Sequence, residues 1–225
     1  MLFTDRRDAG RVLAGKLGAY AHRPDVIVLA LPRGGVPVAL EVAQALEAPL
    51  DVFLVRKLGF PGNEEFAMGA IASGGVRVLN ESVLTRFGVS MAAVESVAAE
   101  EQRELRRRER SYRDDLPALD VRARTVIVVD DGLATGFSMR AAVTALRSLG
   151  PRRIVVAVPV GPADTVDELR RLADEVVCVA TPEPFLSVGR FYDIFDQTTD
   201  AEVKKTLARA RRPEPAVAGA ERGNS

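Results

Sequence analysis

Five short runs in this chain carry β-branched and aliphatic residues with no polar alternation: DVIVLAL (25–31), LDVFLV (50–55), RTVIVVD (124–130), RIVVAVPV (153–160) and EVVCVA (175–180). A strand without alternation is covered on both faces, the habit of parallel sheets flanked by helices. The segments between the runs meet that need. VPVALEVAQALEA (36–48) repeats Val38, Val42 and Leu46 every four residues, and Pro37 suits a first helical turn. SMRAAVTALRSLGP places Met139, Val143, Leu146 and Leu149 on one side before Gly150 and Pro151 stop it, and DTVDELRRLAD supplies a further helix. Such alternation predicts an α/β fold: a central parallel sheet flanked by helices.

Other segments add detail. Residues 5–20 read as an amphipathic helix with Val12, Leu13 and Leu17 facing the sheet, and His22 follows it as a loop residue. GFPGNEE, after the second run, has two glycines, a proline and two acids, which predicts a mobile loop over 58–66. FAMGAI and VRVLN flank SGG as a hairpin. Beyond Ser90, a candidate helix cap, residues 91–112 lack Gly and Pro and predict a long helix. Its ELRRRER stretch could meet phosphates. Residues 100–113, however, set six arginines against four glutamates, with Glu104–Arg108 and Glu109–Arg113 at pairing distance, which favours a solvated helix. Residues 211–225 have no periodicity and are expected to be a disordered tail.

Composition narrows the function classes. Thirty-one basic and thirty-one acidic residues cancel, so no global charge argues for nucleic acid or an acidic membrane as partner. No apolar stretch approaches the roughly 20 residues of a membrane helix, and no signal peptide is evident. The single cysteine, Cys178, reads as a buried small hydrophobe and suits a reducing compartment. The expectation is a soluble, cytoplasmic protein of one domain.

The third run ends in chemistry that folding does not require. VIVVDDGLATGFSM (126–139) leads from four strand formers into Asp130 and Asp131, then into a turn of small and hydroxylated residues before a helix. In open α/β sheets the carboxyl ends of strands are where ligands bind. The helix start offers unpaired amides and positive dipole to a phosphate, with Thr135 and Ser138 adding hydroxyls. Two carboxylates would repel phosphate, so the ligand must be hydroxylated at one point and phosphorylated nearby. A ribose 5-phosphate meets that description. Acid pairs also occur in phospho-receiver domains, but those need further polar residues at later strand ends, and here Val160 and Gly161 follow the next strand. The GxGxxG and GxxxxGK[ST] loops are absent.

VIVVDDGLATGFS resembles the signature of the type I phosphoribosyltransferases, departing from it at Gly132, where an aliphatic residue is usual, and at the variable position Phe137. LPRGGVPVA (31–39) resembles the family's pyrophosphate loop, with Arg33, Gly34 and Gly35 laid against a diphosphate; the resemblance implies a non-proline cis peptide before Arg33. VRKLG (55–59) resembles the segment carrying the pyrophosphate-binding cations, here Arg56 and Lys57, and residues 58–66 then occupy the place of the catalytic flexible loop. The resemblance assigns the 5-phosphate to Ala134, Thr135, Gly136, Phe137 and Ser138, and the ribose and Mg²⁺ to Asp130 and Asp131, directly or through water. Arg33, Arg56, Lys57, Asp130 and Asp131 form the catalytic set.

The likeness implies a domain over 1–210 with a flexible loop, a hairpin and a small hood drawn from both chain ends. TPEPFLSVGRFYDIFDQTTD (181–200) falls in the hood, where Phe185, Phe191 and Tyr192 either stack on a base or fill a small core. The hypoxanthine-guanine enzymes carry an acid where Ala134 stands, so acid–base help at a purine is not assigned. The implied reaction transfers ribose 5-phosphate from phosphoribosyl pyrophosphate to a small nitrogen nucleophile, a nucleobase by preference, with Mg²⁺ as cofactor. A homodimer is compatible with it. The alternatives are a regulatory protein that binds phosphoribosyl pyrophosphate without turnover, and a phosphohydrolase using the same cleft.

Overall fold

Strands that are apolar throughout must be buried on both sides, and the computed structural model, which describes residues 2–60, 63–113 and 119–211, does this with two helical layers. Helix α1 (Arg6–Lys16) leads to β1 (Val26–Ala30), α2 (Gly35–Leu46) and β2 (Leu50–Val52). A separate antiparallel unit follows: β3 (Val55–Phe60), β4 (Asn63–Ala72) and β5 (Val76–Leu79), then α3 (Glu81–Phe87) and the long α4 (Met91–Arg113). The chain returns as β6 (Thr125–Val129), α5 (Phe137–Ser148), β7 (Arg153–Val160), α6 (Ala163–Arg170) and β8 (Glu175–Ala180), and closes with α7 (Asp200–Arg211). The main sheet runs β2-β1-β6-β7-β8, parallel throughout.

Alternate residues serve opposite faces. Val28, Ile127 and Val155 pack toward Leu13 and Leu40 of α1 and α2, while Leu29, Val128 and Val156 pack toward Met139 and Leu169 of α5 and α6. The register Ala30↔Val129 brings the ends of β1 and β6 side by side, and the Leu31 amide donates to the Val129 carbonyl at 2.8 Å. Two candidate loops therefore leave the sheet as neighbours.

Three sequence expectations change. LDVFLV is not one strand: Leu54 donates to Ser73 Oγ and Ser73 donates back to the Leu54 carbonyl, each at 2.9 Å, and this exchange turns the chain from one sheet into the other. Residues 58–60 and 63–66, expected in a flexible loop, belong to β3 and β4; 61–62 lie outside the described residues. The Phe60 ring, 5.9 Å from Phe87 and edge-on to it, ties the end of β3 to α3. In α1, Val12 is exposed, while Ala9, Leu13 and Ala14, with Leu17 just beyond the helix, are buried; α2 comes so close that a Cβ at Gly10 would lie 2.7 Å from the Val38 carbonyl.

The hairpin and the long helix form where expected. Ser90 Oγ accepts from the Ala93 amide at 3.2 Å. Glu104 accepts from both Arg107 and Arg108 at 2.7 Å, and these guanidiniums hold its carboxyl down at about 2. Arg113 pairs with Asp51 at 3.0 Å in place of Glu109, because α4 lies over the end of β2. Of the expected tail, 211–225, residue 211 ends α7 and 212–225 lie outside the described residues. Among the described residues no helix is long and apolar enough to cross a membrane.

Cys178, half-buried in β8, directs its thiol at the Ala180 carbonyl, 3.2 Å away, and burial pushes its pKa up to about 11. Alkylation of the native protein at neutral pH should run roughly a hundredfold slower than that of a free thiol, because only thiolate reacts. Mass spectrometry of the native and urea-unfolded protein, with the native rate equal to the unfolded one, would contradict that placement.

Candidate functional site

The acid pair emerges where β6 leaves the sheet. The Asp131 amide donates to Asp130 Oδ1 at 2.9 Å, and the Tyr192 hydroxyl donates to the Asp131 carbonyl at 2.6 Å. Burial, and secondarily the charge of Asp131, hold the Asp130 carboxyl well above the ordinary aspartate range. Burial also raises Asp131, opposed by the Arg6 guanidinium. Two adjacent, poorly hydrated carboxylates resist full ionisation. Hydrogen-bond donors or a cation would relieve that cost, so the site favours a hydroxylated or metal-bearing ligand.

The turn beyond them suits a phosphate. Leu133 spends its amide on the Val160 carbonyl at 2.8 Å, which pins the start of the turn to β7. Ala134, Thr135 and Ser138 are exposed, Gly136 adopts a left-handed φ of 68°, and α5 begins at Phe137 with no side chain capping it. First-turn amides without a cap are ready donors to an anion. Gly132, the departure from the family pattern, has a local reason. A Cβ there would meet the side chain of Val188 at 2.6 Å, so a hood residue takes the space of the usual aliphatic side chain.

The second loop lies beside the first. The Pro32–Arg33 peptide is cis, as the resemblance implies. Gly34 and Gly35 are packed against the acid pair: Asp131 Oδ2 occupies the space a Gly34 Cβ would take, and a Gly35 Cβ would lie 2.7 Å from the Val129 carbonyl. One expectation fails here. The Gly35 amide donates to the Leu31 carbonyl at 3.1 Å, because α2 starts at this residue, so it does not face the cleft as a free donor. The Arg33 guanidinium lies 3.7 Å from Asp200 at the start of α7. Such a part-exposed pair is weak enough to yield to a ligand.

Arg56 and Lys57 are neighbours within β3. Neighbouring residues of a strand point to opposite faces, and Arg56 donates to Glu101 of α4 at 2.6 Å. Lys57 shares the other face with Val55, which packs toward α5. The resemblance puts both cations at a strand end facing one diphosphate, and the continuation of the strand through them sends their side chains apart.

The hood is drawn from both chain ends, as expected: the Leu2 and Phe3 amides both donate to the Phe191 carbonyl at 3.0 Å. Of the two roles open to Tyr192, stacking on a base or filling a small core, the structure shows the second: it is buried with its ring 5.4 Å from Phe3 and 5.0 Å from Phe195. Its hydroxyl holds the backbone of Asp131, so its ring face is spent in the core. Phe185 and Phe191 lie 5.2 Å apart, tilted, and half-buried. One site residue escaped the sequence reading: Arg6, whose Nε donates to Asp131 Oδ2 at 2.7 Å. Its signal was an arginine in the first turn of a helix, where the dipole favours acids.

An acid pair feeding an uncapped helix start, beside an arginine-glycine loop on the adjacent parallel strand, is the geometry a phosphorylated, hydroxylated ligand requires. The chain belongs to the phosphoribosyl transferase domain family, whose model matches residues 6–188. It is 48% identical over 211 residues to a Mycobacterium tuberculosis protein provisionally named a phosphoribosyl transferase, found in two strains; the match covers 94% of this chain and 47% of that one. The chain thus spans about half the length of these curated relatives. The crystal structure of TT1426 from Thermus thermophilus superposes with a TM-score of 0.82 at 45% identity, covering 93% of this chain and 99% of that one.

Proposed function

We propose that the protein transfers the 5-phosphoribosyl group of phosphoribosyl pyrophosphate to a nitrogen nucleophile. The observation that carries this reading is the placement of Asp130 and Asp131 between two anion-suited loops: the uncapped turn before α5 on one side and the Arg33 loop on the other. The 5-phosphate would sit on the amides of 134–138 and the ribose hydroxyls would donate to the acids. The diphosphate would meet Arg33 and Gly34, with Lys57 reaching toward it from β3 and Arg56 only after leaving Glu101. A nitrogen lone pair bonds to carbon 1 of the sugar, the bond from carbon 1 to the diphosphate oxygen breaks, and pyrophosphate leaves with the electron pair. No protein nucleophile is needed.

The residues fit Mg²⁺ in a limited way. Among the described residues there is no group of three or more metal-ligating side chains, so two carboxylates suit an ion held mainly by ligand oxygens and water. When bound, it would supply charge neutralisation for the leaving diphosphate. We read the acceptor as a small planar heterocycle lying by Phe185 and Phe191, without Tyr192 and without side-chain acid–base help at Ala134.

The decisive experiment incubates the protein with phosphoribosyl pyrophosphate, Mg²⁺ and a panel of nucleobases and other amines, and measures pyrophosphate release. Acceptor-dependent release is expected, with guanine not the best substrate. Release independent of any acceptor would replace the reading by a phosphohydrolase. Binding without release would replace it by a sensor, a reading to which the engagement of Arg56 by Glu101 gives some support.

A further inference from the structure

Arg6 stands where helix energetics alone would not put it. It opens α1, whose first-turn amides favour negative charge, and Asp5 caps the helix by accepting from the Asp8 amide at 2.8 Å. The contacts that hold Arg6 are all outside its own helix. Its Nε donates to Asp131 Oδ2 at 2.7 Å, its Nη1 donates to the Asp196 carbonyl at 2.6 Å, and its guanidinium carbon lies 4.0 Å above the Phe195 ring. Asp131 belongs to the strand end, and Asp196 and Phe195 to the hood. The side chains of Arg6 and Asp131 are only 12% and 15% exposed, so their contact is made largely out of bulk water, where a charge-assisted bond is stronger.

The Asp131 carboxylate is confined on its other side too. Its Oδ2 fills the space beside Gly34, and the Tyr192 hydroxyl fixes the carbonyl of the same residue. A carboxylate has about four acceptor positions, so one N–H on Oδ2 leaves Oδ1 entire.

We infer that Arg6 is a positioning residue: it grips Asp131 by Oδ2, leaves Oδ1 for a sugar hydroxyl, and fastens the hood to the same carboxylate. This rests on the ribose-phosphate reading above. Arginine suits the task because its planar fork donates in two fixed directions while its face lies on an aromatic ring; lysine can keep the charge and one of the bonds.

The test is calorimetric titration of ribose 5-phosphate, with Mg²⁺ present, into the wild-type protein, Arg6→Gln, Arg6→Lys and Phe195→Leu, each checked for folding by its melting curve. Arg6→Gln is expected to weaken binding roughly tenfold to a hundredfold, the worth of one charge-assisted bond. Arg6→Lys should recover part of that loss, and Phe195→Leu, which keeps the ion pair, should lose least. Unchanged affinity in Arg6→Gln, a loss in Arg6→Lys as large as in Arg6→Gln, or tighter binding in either would overturn the inference, the last because Arg6 would then compete with the sugar. Should Arg6→Gln not fold, the lysine and leucine variants carry the same ordering. Wild-type protein that binds neither ribose 5-phosphate nor phosphoribosyl pyrophosphate would overturn the functional reading and this inference together; wild-type binding with unaltered variants would overturn this inference alone.

Discussion

The double variant Asp130→Asn, Asp131→Asn should bind phosphoribosyl pyrophosphate roughly 10²–10⁴-fold more weakly than the parent, because each charge-assisted bond to a ribose hydroxyl is worth about 1.5–3 kcal/mol. The fold should survive the change. Burial and mutual repulsion raise the Asp130 carboxyl well above its ordinary 3.8, so the folded state holds that proton more tightly than the unfolded chain does. Stability contributed by the proton is full below the unfolded value and is lost as pH rises through the raised folded value. Asp130→Asn alone should abolish this decline and melt higher than the parent at neutral pH. Asp131→Asn differs, since it deprives Arg6 of its partner and should melt lower. Calorimetry gives the affinities and melting curves from pH 4 to 8 give the slopes. Equal affinity in the double variant would remove the acids from the site, and an unchanged slope in Asp130→Asn would show that Asp130 is well hydrated.

Asp130 is thus expected to cost stability while supplying binding, the pattern of a functional site that violates local preference. The same contrast explains what could be read from the sequence. The strands were legible because burial on both faces leaves only apolar residues at Val126–Val129 and Ile154–Val158, although the same pattern in the edge strand β8 is only half-buried. The acid pair and its turn were legible because they interrupt such a strand with chemistry that packing does not need. The turn from one sheet to the other at Leu54 was not, because the bonds that make it join Leu54 to Ser73, and nothing near either residue announces the other. The resemblance puts Arg56 and Lys57 on one pyrophosphate segment, whereas a strand sends adjacent side chains to opposite faces. Residue type leaves Tyr192 open to stacking or to core filling, and what decides it is the nearness of Phe3 from the other end of the chain, together with Phe195. Arg6 carried a faint signal only, a cation against a helix dipole, and its meaning depended on a residue 125 positions away.

The glycine pair of the second loop divides stability from binding most sharply. Gly35→Ala should lower stability by about 3 kcal/mol, near the upper end of what overpacking costs. The new Cβ would lie 2.7 Å from the Val129 carbonyl and 2.9 Å from Asp130 Cα, both main-chain atoms of the β6 edge, so relief requires α2 to lift from the sheet or the acid pair to move. Helix propensity alone predicts the opposite sign, since alanine in a helix is favoured over glycine by roughly 0.5–1 kcal/mol. Gly34→Ala presents a different obstacle. Gly34 has φ −60° and ψ −34°, which alanine adopts freely, and its Cβ would displace only the Asp131 carboxylate, a side chain that can rotate. Rotation takes Oδ2 away from Arg6. Gly34→Ala should therefore unfold within about 1 kcal/mol of the parent, the range of a tolerated substitution, yet bind ribose 5-phosphate at least tenfold more weakly, the loss of one charged contact being roughly 1.5 kcal/mol or more. Urea titrations and calorimetry on the two variants measure both quantities. If Gly35→Ala gains stability, α2 does not sit against the end of β6; if Gly34→Ala binds as well as the parent, the orientation of Asp131 does not govern the site.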